Sequence, residues 1–216
     1  VIVREYDVVG STILSPEEIA RLTAPYLRRP VSYSDLQELR DELTRAYVSG
    51  GYATSADVVA EQSLREGRVR IEIHEGKLEE IRIETDGRLR PSYVEGRILD
   101  RLSGPMNVYQ LQERLQLLQQ DPHIRSVRAS LEPGETRGEA RLRVDLEEER
   151  SLSGRIELDN GVSPSIGAER SSLALLHRNV TGFGDALQLS LGRSRGLREI
   201  SAQYDVPVGT RDTSLG

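Results

Sequence analysis

His74, His123 and His177 are the side chains best suited to proton transfer or metal ligation near neutral pH. They lie far apart, and no His-x-x-x-His spacing sets two of them on one helix face. His123 follows Asp121-Pro122 and is expected in a solvated turn. The chain has no cysteine, which removes disulfides, thiolate nucleophiles and cysteine-based metal sites together. Glu147-Glu148-Glu149 puts three carboxylates in a row where one segment gives way to the next, and reads as a solvated linker. Asp57 with Glu61, or Glu157 with Asp159, could pair as acid and base, but no nucleophile or oxyanion donor accompanies them. Gly182-Phe183-Gly184 is short and flanked by strand pattern, whereas a phosphate loop must open a helix. These residues point away from an enzyme. No cofactor, no metal and no small-molecule substrate is expected.

The elements that position these side chains must come from a chain of 216 residues, 30% charged and 37% hydrophobic, with net charge -6. That balance fits folded modules rather than a disordered tail. Basic residues are interleaved with acidic ones, so there is no basic stripe for phosphates, and nucleic acid is not an expected partner. No run of 18 apolar residues exists, so no transmembrane helix is expected. Barrel strands, which are short and alternate, remain possible. The sequence starts at Val1 and stops at Gly216 within a strand-like pattern, and so reads as a fragment.

An internal repeat organises the first two thirds. Ser32-Tyr33-Ser34-Asp35-Leu36-Gln37-Glu38 recurs loosely as Asn107-Val108-Tyr109-Gln110-Leu111-Gln112-Glu113, 75 residues later. Val69 to Ile73 recurs as Leu142 to Leu146. In the first copy a strand over Val3 to Val9 precedes a helix that Ser15 caps, with Pro16, Glu17 and Glu18 in its first turn. A second helix, capped by Ser34, carries Leu36, Leu39, Leu43 and Ala46/Tyr47 on one face and stops at Gly50-Gly51. Strands over Tyr52 to Val59 and Arg68 to His74 follow, with Glu66-Gly67 as their turn. The second copy repeats the order. It has a strand with Leu78, Ile81 and Ile83, then a helix from Pro91 with Val94, Ile98 and Leu102. A helix capped by Asn107 comes next, then strands at Ile124 to Leu131 and Ala140 to Leu146. Strand–helix–helix–strand–strand makes a small α+β module, two helices on one face of a three-stranded sheet. Arg68, Arg70 and Glu72, alternating with Val69, Ile71 and Ile73, leave the other face wet.

From Ser151 the period changes to two. Leu152, Gly154, Ile156 and Leu158 alternate with Ser153, Arg155, Glu157 and Asp159. Leu187, Leu189 and Leu191, then Ile200, Ala202, Tyr204 and Val206, repeat the pattern, with a weaker strand over Ser171 to Leu176. Turn chemistry at Asn160-Gly161, Thr181 to Asp185, Arg195-Gly196 and Pro207 to Gly209 separates them. Such strands suit a transmembrane barrel or a soluble β-sandwich, because alternation does not distinguish lipid from a protein core.

The stretch from Gly51-Tyr52-Ala53-Thr54-Ser55 through Gln62-Ser63-Leu64-Arg65-Glu66-Gly67 to Glu75-Gly76 resembles the end of the first POTRA module in outer-membrane transporters of two-partner secretion, the haemolysin-activator and filamentous-haemagglutinin transporters. Asn179-Val180-Thr181-Gly182-Phe183-Gly184-Asp185 is similar to that family's turn between its second and third barrel strands. Tyr204-Asp205-Val206-Pro207-Val208-Gly209 is similar to one of its strand ends. The resemblance covers essentially the whole chain. It implies an α+β fold of two POTRA modules, residues 1–75 and 76–148, followed by 149–216 as four to five antiparallel strands of a truncated transmembrane β-barrel. The family's plug helix, its linker and most of its barrel have no counterpart here.

The resemblance also implies a location in the outer membrane of a Gram-negative-type bacterium, with the POTRA modules in the periplasm. The implied partner is a secreted polypeptide, an adhesin or cytolysin secretion domain, captured unfolded and passed to the pore. Capture would be by pairing to a free edge strand. The second strand of each module is the expected edge, Thr54 to Val59 and, nearer the pore, Arg125-Ser126-Val127-Arg128-Ala129-Ser130-Leu131. In the latter, Arg125, Val127, Ala129 and Leu131 are expected to form one helix-facing row. Two other functions fit the same segments, a factor that assembles other barrels and a soluble periplasmic scaffold.

Overall fold

The computed structural model describes residues 2–53, 57–65, 67–100, 102–136, 138–160, 169–208 and 213–215. Of the expected features, Thr54 to Ala56, Glu66, Gly161 and Gly209 lie outside the described residues. The first repeat runs β1 (Glu5–Val9), α1 (Pro16–Thr23), a 3-10 turn (Ala24–Tyr26), α2 (Tyr33–Ser49), β2 (Asp57–Arg65) and β3 (Arg68–His74). The second runs β4 (Leu78–Thr85), α3 (Pro91–Leu99), α4 (Val108–Gln119), β5 (Ile124–Pro133) and β6 (Ala140–Glu148). Strands β7 (Leu152–Asp159), β8 (Arg170–Arg178), β9 (Ala186–Arg193), β10 (Arg198–Val208) and β11 (Thr213–Leu215) follow.

Local chemistry sets the helix starts. Ser15 accepts from the Glu18 amide while the Glu18 carboxylate accepts from the Ser15 amide, a reciprocal cap. The cap of α2 is Ser32, not Ser34. Asp35 stands three residues after Ser32, so the two residues close the same reciprocal pair, and Arg29 fixes the Asp35 carboxylate at 2.7 Å. Ser34 therefore falls inside the first turn. Leu39, Leu43 and Tyr47 of α2 are fully buried, as the helical spacing predicts, and pack with Val3, Tyr26, Val31, Val69, Ile71 and Ile73. Tyr52 does not start a strand. Gly51 turns the chain with φ +90°, and the Tyr52 ring stands edge-on to Tyr47 instead.

Both repeats place their last strand centrally. The sheet orders are β1-β3-β2 and β4-β6-β5, so β2 and β5, the second strand of each repeat, are end strands. Strand β3 pairs parallel with β1 and antiparallel with β2. The remaining strands form one antiparallel meander, β11-β10-β9-β8-β7.

The chain forms two compact units. One comprises Val1–Arg82, Arg101–Glu113 and Ala129–Arg143, the other Ile83–Asp100, Arg114–Arg128 and Val144–Gly216. In the first, the end of α2 meets the cap of α4. Asn107 donates to the Gly50 carbonyl (2.9 Å) and caps α4 through the Tyr109 and Gln110 amides, and the Val108 amide donates to the Gly51 carbonyl (2.8 Å). In the second unit, Leu89, Val94 and Ile98 are buried, as are Leu118, Ile124, Val144 and Leu146.

Candidate functional site

Three features of the chain bear on function: the end strand β5, the two faces of the meander, and the turn that joins β8 to β9.

Strand β5 carries the residues expected to receive a partner chain. Ile124 is buried, Ser126 and Val127 are partly covered, and Arg125, Arg128, Ala129, Ser130 and Leu131 are exposed. The expected helix-facing row of Arg125, Val127, Ala129 and Leu131 is thus not one covered row. Arg125 turns out to solvent, where its guanidinium reaches the Glu148 carbonyl at 3.0 Å and the Glu149 carboxylate at 3.8 Å. Arg128 pairs with Glu147. The side chains are held by charges on β6 and its exit, which outcompete an apolar seat for so basic a strand. Charge along an end strand also discourages uncontrolled edge pairing.

The meander sorts most of its side chains onto two faces, although β8 is mixed, with Ser171 and His177 beside Leu173 and Leu175 and with Leu176 on the opposite face. Leu152, Ile156 and Leu158 of β7 align through the registered pairs with Leu173 and Leu175 of β8, Leu187, Leu189 and Leu191 of β9, and Ile200 of β10. This face is apolar and open, with Ile156 76% and Ile200 81% exposed. The opposite face carries Arg155, Glu157, Asp159, Arg170, Gln188, Ser190, Glu199 and Gln203, with Arg170 and Glu199 paired at 2.8 Å. An apolar face left in water is costly at about 25 cal/mol per Å². Lipid removes that cost, and a polar opposite face then lines a lumen. The geometry favours the barrel over the soluble sandwich, which needs a second sheet on the apolar face.

The turn between β8 and β9 is built, not merely flexible. Asp185 is 1% exposed and accepts from the Thr181 amide (2.9 Å), the Thr181 hydroxyl (2.8 Å) and the Tyr204 hydroxyl (2.6 Å). Asn179 takes the left-handed conformation at φ 61°, which Asn tolerates well, and its Oδ1 accepts from the Gly184 amide. The turn seats on the start of α3. The Arg90 amide donates to the Gly182 carbonyl (2.9 Å), Arg90 Nε donates to the Thr181 carbonyl (3.1 Å), and the guanidinium lies 4.6 Å from the Phe183 ring centre. Gly182 has φ +96°, and a β-carbon there would stand 2.8 Å from the Arg88 carbonyl oxygen. The motif Asn179 to Asp185 is thus explained as a docking turn.

Two expectations about charged residues are overturned beside it. His123 is not a solvated loop side chain. Its ring, 11% exposed, lies 2.7 Å from Asp121 Oδ1. Asp121 also accepts from the Tyr93 hydroxyl (2.7 Å) and the His123 amide (2.9 Å), and faces Arg97 at 3.4 Å. Burial pushes the Asp121 carboxyl up, but the bonds from His123 and Tyr93 outweigh it and hold the value below the usual carboxylate range. Burial, reinforced by Asp121, pushes the Tyr93 hydroxyl well up. Glu148 is likewise no linker residue. Its Oε1 accepts from the Thr85 hydroxyl and the Leu89 amide, both at 2.6 Å. The signal was present in the repeat, because Thr85 precedes Glu148 by the interval that separates Thr12 from Glu75. Among the described residues, no three His, Asp or Glu side chains converge to hold a metal.

Strand–helix–helix–strand–strand modules with a free end strand, leading into a meander with one lipid-compatible face, define a class: periplasmic modules joined to an outer-membrane barrel. Residues 1–76 match the POTRA domain of the ShlB type. The outer membrane transporter CdiB of Escherichia coli is 27% identical over 212 residues, which cover 94% of this chain and 35% of that protein. The heme/hemopexin transporter protein HuxB of Haemophilus influenzae (strain 86-028NP) is 26% identical over 192 residues, 88% of this chain and 34% of its own. The solved structure of CdiB from Escherichia coli superposes with a TM-score of 0.60 at 26% identity, covering 96% of this chain and 40% of that one. Over most of its length the chain is thus similar to transporters of the outer membrane, and its first 76 residues match a POTRA domain of the ShlB type. Its POTRA portion lies on the periplasmic side, and its meander corresponds to barrel strands. It spans about a third of the length of the curated relatives it matches.

Proposed function

We propose that this chain supplies the periplasmic receptor and the first pore strands of a transporter that exports a secreted partner polypeptide. Residues 1–75 and 76–148 act as the two POTRA modules and 149–216 as the barrel portion. The partner arrives unfolded and adds to the outer edge of β5 over Arg125 to Leu131, then passes along the polar face of the meander. The observation that carries this reading is the position of β5 at the end of its sheet. An end strand offers unpaired N–H and C=O groups, and backbone pairing tolerates many partner sequences. The basic residues Arg125 and Arg128 keep that edge soluble until the partner displaces water from it. The relatives are transporters rather than enzymes, and no cofactor enters the cycle. Folding of the partner outside the cell supplies the direction.

The test is binding of the chain, in detergent micelles, to unfolded secretion-domain fragments of a partner encoded with it. Proline is scanned from Ser126 to Ser130. Along a strand, alternate amides point outward, so proline at one parity removes pairing to the partner while proline at the other disrupts β6. Saturable binding, lost only at the outward parity with the fold intact, supports the reading. Binding to unfolded barrel-protein C-termini instead would assign the chain to barrel assembly.

A further inference from the structure

The two repeats close the same loop with the same carboxylate, but the last donor to that carboxylate differs. In the first, Thr12 stands 63 residues before Glu75 and donates its hydroxyl to Glu75 Oε2, while the Thr12 and Ile13 amides donate to Oε1. In the second, Thr85 stands 63 residues before Glu148, and the Thr85 hydroxyl and Leu89 amide donate to Oε1. The glutamate at the end of each third strand thus pins the loop that leaves the first strand. Glu75 completes its shell inside its own repeat, with the buried Tyr47 hydroxyl at 2.7 Å. Glu148 completes its shell outside the repeat, where Asn179 Nδ2 donates to Oε2 at 3.4 Å.

We infer that Glu148 is the positioning residue that holds the second repeat to the β8–β9 turn, its Oε1 committed to the repeat and its Oε2 to the turn. The division is stereochemical. One oxygen takes two donors from the β4–α3 connection, and the other faces a side chain that enters from the strands. Gly87 is an independent sign that the site is built around this carboxylate, because a β-carbon there would overlap the Glu148 carboxyl group. The Glu148 amide is also held, donating to Asp86 Oδ1 at 2.7 Å. Arg90 supplies a parallel contact at the tip of the turn through Gly182 and Thr181, whereas Asn179, 2% exposed, is held at its start.

The donor and acceptor can be exchanged without changing shape or net charge, and this gives the test. Asn179→Asp keeps the acceptor for the Gly184 amide but sets two carboxylates against each other. Glu148→Gln keeps Oε1 for Thr85 and Leu89 and turns the other position into a donor. The chain has no native cysteine, so labels at Leu117→Cys and Leu197→Cys, both at exposed positions of the same compact unit, are unique. Electron–electron distance measurements on the labelled full chain in micelles should give a narrow distribution. Asn179→Asp should widen it about twofold, as loss of a shared anchor permits sub-global opening. The Asn179→Asp, Glu148→Gln pair should restore it, and Glu75→Gln should leave it unchanged. An unchanged width in Asn179→Asp, or a pair as wide as that single variant, overturns the inference. Because no client is present, this result stands apart from the export reading.

Discussion

Replacing Tyr47 by Phe removes one hydroxyl and leaves the ring in place. That hydroxyl lies 2.7 Å from Ser11 Oγ and donates to Glu75 Oε1 at 2.7 Å, and the side chain is fully buried. Ser11 keeps its contact with the Leu14 amide, and Glu75 keeps the Thr12 and Ile13 donors. A hydrogen bond to a charged group contributes about 1.5–3 kcal/mol and a neutral one about 1 kcal/mol. With Ser11 able to re-pair, the expected loss is about 2 kcal/mol. Amide hydrogen exchange of Ile71 and Ile73 in β3 reads it locally, without requiring the whole chain to unfold at once. The acid dependence follows. Burial pushes the Glu75 carboxyl up, but the bonds from Thr12, Tyr47 and Ile13 outweigh it and hold the value below the usual range. The unfolded chain therefore binds this proton more readily. The stabilisation is present above the ordinary carboxylate value and is lost as pH falls through the depressed one. Tyr47→Phe should shrink that acid loss, and Glu75→Gln should remove this residue's share of it. Protection in Tyr47→Phe within about 0.5 kcal/mol of the parent at pH 7, or an undiminished acid loss in Glu75→Gln, would refute the reasoning.

Asp121→Asn leaves Arg97 facing a neutral side chain in a buried place. Removing one member of a buried ion pair costs about 3–5 kcal/mol, and thermal unfolding should show a loss of that order. Because the Asp121 carboxyl is held below its usual value, the difference from the parent should narrow as pH falls through the acid range. On the meander, Ile156→Arg places a charge in the middle of the apolar face. Insertion of the full-length transporter into lipid should weaken by about 2–4 kcal/mol if that residue sits near the bilayer midplane. Arg155→Gln on the polar face should leave insertion unchanged, and sedimentation with vesicles measures both.

Periodicity made the elements legible. Helical spacing placed Leu39, Leu43 and Tyr47 in one buried face, and period two sorted β7, β9 and most of β10 into apolar and polar rows, while β8 mixes the two. The misses share a physical cause. A cap is decided by which residue three places on can answer it, so Ser32 with Asp35 prevails over Ser34. His123 and Glu148 were read by their neighbours in sequence, a turn and an acidic run. Their surroundings are Asp121 in one case and Thr85, Leu89 and Asn179 in the other. The covered row expected on β5 failed for a similar reason, since Arg125 and Arg128 answer to acids of a strand distant in sequence.

The repeat explains why one of those misses matters more than the rest. A duplicated module begins with two equivalent carboxylates, each able to hold two groups of donors. In the first repeat Tyr47 joins the Thr12 and Ile13 amides on Oε1, so among the described residues Glu75 takes its side-chain donors from its own module. In the second, the helix offers no such hydroxyl to Glu148, and the vacancy is answered by Asn179 from the strands. Asn179 must then be held in a left-handed conformation, which requires the closed turn around Asp185 and the glycine at 182 that lets this turn approach α3. The carboxylate, the turn and the glycine therefore form one mechanical unit. A change at any of them should be felt in how the strands are carried before it is felt in the stability of the first module.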